Sequence, residues 1–130
     1  MTIETPGEVV NGPGEAFNGP AAASSDSAAA LAQQIERAVV AADGTLVAGQ
    51  SSGATSATKL SVGTYQVCFN VPITNGTYVA SIGIPGNVGT SAPGEITVVG
   101  RFNTNNCLFI RTFNSAGALE DRGFHVHVAH

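Results

Sequence analysis

From Thr64 to Val71 apolar and polar residues alternate. Tyr65, Val67, Phe69 and Val71 occupy one set of positions, and Thr64, Gln66, Cys68 and Asn70 the other. Successive side chains of an extended chain point to opposite faces, so this run is a strand with one buried face. The same alternation returns in Tyr78, Ala80, Ile82 and Ile84, and again over Ile96–Phe102, Cys107–Phe113 and Phe124–Ala129. After residue 43 no stretch sustains the 3.6-residue period of a helix.

Turn chemistry separates these runs. Asp43-Gly44 is a hairpin signal between Ala38–Ala41 and Thr45–Ala48, and Asn75-Gly76 starts a second reversal. Asn103-Thr104-Asn105-Asn106 and Asn114–Gly117 mark two more, while Gly83–Gly94 is a long Gly/Pro/Ser loop. Gln50–Ser56 reads as a loop or a weak edge strand. Six to eight short strands at such spacing predict an all-β fold, an antiparallel β-sandwich or jelly-roll-like knob over residues 43–130.

The segment before the knob has a different grammar. Residues 1–24 are punctuated by Pro6-Gly7, Gly12-Pro13-Gly14 and Gly19-Pro20, steps that disfavour helix and regular strand. They predict an extended N-terminal arm whose apolar anchors are Ile3, Val9, Val10 and Phe17, of the kind that orders on a partner. A short helix is expected within residues 25–42, capped by Ser25, Asp26 or Ser27. Ala28, Leu31, Ile35 and Ala38 fall at a 3-4-3 spacing, a seam that packs on the chain's own β domain or on symmetry mates.

Composition narrows the function classes. Charged residues make up only 11 % of the chain, which suits a surface partly covered by neighbours. The net charge is −4 and the arginines are scattered, so no phosphate-binding patch forms and nucleic acid is not an expected partner. No apolar stretch approaches the roughly 20 residues needed to cross a bilayer, so no membrane partner is expected either. Met1–Pro6 carries neither a positive n-region nor an apolar h-region, which predicts synthesis in a cytoplasm without a secretory leader. On that basis Cys68 and Cys107 are expected as buried free thiols.

Chemistry-bearing residues are few. All three histidines, His125, His127 and His130, lie in the last six residues. On a strand His125 and His127 face the side opposite Phe124, Val126 and Val128, roughly 6–7 Å apart. One such pair gives too few ligands for a structural metal; three copies about a threefold axis would gather six imidazoles for a transition-metal ion. Otherwise no cofactor is expected. Gly49-Gln50-Ser51-Ser52-Gly53 matches the G-x-S-x-G nucleophile elbow, but that motif works between a strand and a helix of an α/β sheet, so Ser51 is read as a loop residue. No carboxylate pair suits glycoside hydrolysis. No catalytic residue is assigned, and the chain is not expected to be an enzyme. A sugar-binding platform would need exposed aromatics, whereas Tyr65 and Tyr78 both fall on apolar faces.

Ala38-Val39-Val40 with Asp43-Gly44-Thr45-Leu46, then Gly63–Asn70, Asn114-Ser115-Ala116-Gly117 and Asp121-Arg122-Gly123-Phe124-His125, resemble a β module of phage and actinobacterial structural or surface proteins. The likeness spans about two thirds of the chain. It implies a non-enzymatic, often trimeric module and carries over no catalytic residue. With the arm and seam, the expected role is a homotrimeric capsid decoration protein or head fibre. Its partner would be the major capsid protein or another virion or surface protein, and its location the virion. The alternatives are a receptor-binding tail-fibre knob and a carbohydrate-binding or adhesin module at a bacterial cell surface.

Overall fold

The computed structural model describes residues 2–4, 7–8 and 34–130, and in the last of these segments the alternation becomes seven strands. The short N-terminal unit is a pair of antiparallel strands, β1 (Thr2–Glu4) and β2 (Gly7–Glu8), either side of Thr5-Pro6. Ile3 of the expected arm lies on β1. Val9, Val10 and Phe17, like Ala28 and Leu31 of the expected seam, lie outside the described residues.

The second unit runs from Gln34 to His130. Its strands are β3 (Ile35–Val40), β4 (Ala54–Ser61), β5 (Thr64–Phe69), β6 (Thr77–Ile82), β7 (Glu95–Gly100), β8 (Cys107–Phe113) and β9 (Phe124–Ala129). They form a three-stranded sheet in the order β3-β9-β6 and a four-stranded sheet in the order β4-β5-β8-β7, every pair antiparallel. The expected all-β sandwich is the observed architecture.

The core is the sum of the inward positions. Tyr65, Val67 and Phe69 of β5 and Leu108 and Ile110 of β8 meet Ala38 and Val40 of β3 and Phe124, Val126 and Val128 of β9. Tyr65 and Phe124 bridge the two sheets edge to face, with ring centroids 5.1 Å apart. The hydroxyl of the buried Tyr65 donates to the Ala42 carbonyl at 2.6 Å.

Residues 35–40 correct the expected helix. Ile35 to Val40 pair residue for residue with Ala129 to Phe124, and the inward set is Glu36, Ala38 and Val40. Two readings compete for Ile35-Glu-Arg-Ala-Val-Val: a 3-4 seam and a period of two. The β-branched pair Val39-Val40 and a six-residue partner strand decide it for the second. Ala38 is buried in its own chain's core and Ile35 is half exposed on the outer face, so the two do not share a seam. The Asp43-Gly44 turn forms as expected, with Ala41 N–H donating to Thr45 O at 2.9 Å.

The cysteines are the second correction. Cys68 and Cys107 are joined as a disulfide. They are directly opposed in the β5–β8 register, on the outer face of the four-stranded sheet. Thirty-nine positions separate them along the chain, and only strand pairing brings them together.

Candidate functional site

Strand β8 reads Cys107-Leu108-Phe109-Ile110-Arg111-Thr112-Phe113. Leu108, Ile110 and Thr112 are fully buried. The pleat therefore turns Phe109, Arg111 and Phe113 to the outer face, where sequence reasoning placed no site. Across β7 the neighbours are Val99 opposite Phe109, Thr97 opposite Arg111 and Glu95 opposite Phe113; across β5, Gln66 stands opposite Phe109.

Two guanidinium groups lie over the two rings. The Arg101 Cζ is 5.4 Å from the Phe109 ring centroid, and the Arg111 Cζ is 5.5 Å from that of Phe113. The ring quadrupole attracts the cation, at about 0.5–1 kcal/mol for exposed pairs. The contact holds each guanidinium beside its ring. The ion pairs among the described residues are Lys59–Asp121, Arg122–Glu120 and His130–Glu36, and neither Arg101 nor Arg111 belongs to them.

Beyond β7 the chain reverses through Asn103, which adopts a positive φ of 60°. This turn pushes Phe102 into solvent, leaving it 89 % exposed, beside Val99 at 58 %. Val99, Gly100, Arg101, Phe102 and Phe109 line a shallow hollow of about 310 Å³. An exposed phenylalanine, an exposed valine and two arginines on aromatic rings have the composition of an interface core, not of an ordinary solvated face. The readable signal is Phe-x-Arg-x-Phe at period two; Tyr65 and Tyr78 point inward, as expected.

The histidine strand forms a second outer face. On β9, His125 stands between Val39 and Ser81, and His127 between Arg37 and Val79. These residues and Gln50 line a hollow of about 290 Å³. His125 Nε2 lies 3.1 Å from the Ile84 carbonyl, which can only accept, so this nitrogen carries the proton. His127 is exposed on the same side, the arrangement expected of them. His130 is turned away and pairs through Nε2 with the buried Glu36 carboxylate. Among the described residues no three His, Cys, Asp or Glu side chains gather as a metal site. One chain thus offers two imidazoles beside Arg37, and further donors would have to come from other copies.

Ser51 is occupied by the backbone. Its Oγ donates to Val47 O at 2.8 Å and accepts from Val39 N–H at 3.1 Å, tying the 47–53 segment to β3. No helix among the described residues is long and apolar enough to cross a membrane. No family model, curated protein or solved structure matches this chain.

Proposed function

We propose that the chain is a non-enzymatic module that works by adhesion outside the cytoplasm, as a virion structural protein of the capsid-decoration or head-fibre kind. The observation that carries this reading is the outer face of the four-stranded sheet, where Phe102 and Val99 stand exposed beside Arg101 and Arg111. Leaving such residues in water gains nothing for folding, and contact with another surface gives them a use. The Cys68–Cys107 bond supports the exterior location, since disulfides persist on virions, cell surfaces and in secreted proteins and are reduced in most cytosols. Homotrimer formation, and attachment to the capsid through the N-terminal segment with Ile3, Val9, Val10 and Phe17, belong to the same proposal. A transition metal shared by His125 and His127 of three copies is its subsidiary part.

The runner-up is a bacterial surface module that binds carbohydrate. Phe109 and Phe113 are its best platform, but a guanidinium lies over each ring where a sugar would stack. Mass spectrometry of purified phage particles and of washed cell envelopes, from the strain carrying the gene, tests the reading. Enrichment of the chain in particles supports it. Enrichment in envelopes favours the runner-up, and recovery only from soluble cytosol overturns both. Light scattering after size exclusion decides the trimer.

A further inference from the structure

We infer that the Phe109–Arg111–Phe113 face receives an extended acidic segment of a partner protein, with two carboxylates four residues apart and apolar side chains between them. This inference rests on the adhesive reading above and names the chemistry of its partner. The face itself supplies the reasons. Phe109 and Phe113 are four residues apart on one strand, so the guanidinium groups stacked on them sit over ring positions about 13 Å apart along β8. An extended peptide laid along that strand has the same rise per residue. Its side chains at i and i+4 point the same way and reach both arginines.

Each arginine presents a planar fork to a carboxylate, which favours paired, charge-assisted hydrogen bonds over contact with a neutral ligand. The residue at i+2 then lies over the aliphatic stem of Arg111, between the two rings, and Val99 and Phe102 widen the apolar surface available to its neighbours. One acidic residue lies on this face: Glu95, opposite Phe113 in the β7–β8 register. It offsets part of the charge at the Arg111 end and leaves Arg101 the stronger of the two anchors.

The test uses the full-length chain and short synthetic peptides. One carries glutamates four residues apart with a leucine midway. The controls carry lysines at the same places, or glutamates three residues apart. Fluorescence anisotropy is expected to give binding to the first peptide, at least tenfold weaker binding to each control, and weakening as salt is raised. Arg101→Gln is expected to weaken binding more than Arg111→Gln, and the double variant to abolish it. Arg101→Lys with Arg111→Lys should recover only part, because an ammonium keeps the charge but not the fork. Backbone NMR shifts should move at Thr97, Val99, Phe109 and Arg111, and the spectra of the variants report that they are folded.

Any of these results would overturn the inference: no binding at millimolar peptide, equal affinity for the lysine control, or unchanged affinity in a folded double variant. Perturbations confined to the His125–His127 face would do the same. Particle enrichment with a failed peptide test would leave the adhesive reading standing and remove only this partner.

Discussion

Cys68 and Cys107 face each other across β5 and β8, and the bond between them closes a span of 39 residues that contains β6 and β7. A loop of this length restricts the unfolded chain by about 4 kcal/mol on the loop-entropy model. Replacing both residues by alanine, or reducing the bond, is expected to lower stability by about that amount. For a domain of this size the melting temperature should fall by roughly 20 °C. Thermal scans with and without reductant measure it, and peptide mapping under non-reducing conditions reports the link. A melting temperature unaffected by reduction would mean the bond is not formed.

The corner that holds Gly63 makes the second prediction. Gly63, at φ +61°, donates its N–H to Asp121 Oδ1 at 2.8 Å, and Lys59 Nζ approaches the other carboxylate oxygen at 2.6 Å. The Lys59 ammonium first, and the Gly63 N–H second, hold the Asp121 carboxyl below the usual carboxylate range. A depressed carboxylate stabilises the fold above its unfolded value of about 3.9 and loses that contribution as pH falls through the lower folded value. Urea midpoints of the parent chain and of Asp121→Asn should therefore differ at pH 6, and the gap should begin to close only as pH falls below about 3.9. A gap that stays constant down to pH 2 contradicts the assignment.

Tyr65 titrates in the opposite sense. Burial first, and then the negative charge of Asp121, push its phenol above the ordinary value. The folded chain thus keeps this proton longer than the unfolded chain. The resulting stability is complete below about pH 10 and is lost as pH rises through the folded value. In a Tyr78→Phe background the phenolate absorbance should appear only above pH 10, and earlier when Asp121→Asn is added. Tyr65→Phe, which leaves the Ala42 carbonyl without its donor, should cost about 1 kcal/mol at neutral pH.

What the sequence disclosed follows the physics of alternation. Cys107–Phe113 and Phe124–Ala129 were legible to the residue, because turn residues bound both runs and, in the second, inward valines alternate with outward histidines. Ile35–Val40 was not. Its residues satisfy two periods at once, and the partner that decides between them, β9, lies about 85 residues downstream. The disulfide was hidden for the same reason, since register between β5 and β8 is a tertiary fact. The histidine face could be read from spacing alone. The arginine–phenylalanine face required asking which side of β8 its phenylalanines occupy, and Leu108 and Ile110 already answered that.

Two phenylalanines separate stability from recognition. Phe124 is fully buried between the sheets against Tyr65, and Phe102 is almost fully exposed at the turn after β7. Phe124→Ala removes a packed ring and leaves a cavity, which should cost about 3–5 kcal/mol. Phe102→Ser removes an exposed ring and should change stability by no more than about 0.5 kcal/mol. Denaturant midpoints measure both. In binding the order reverses: among variants still folded at the assay temperature, Phe102→Ser should weaken capture of an acidic, apolar peptide, since it strips the hollow beside Arg101 of its outer wall. If Phe102→Ser instead destabilised the fold by several kcal/mol, the ring would be part of the core packing and not of an adhesive face.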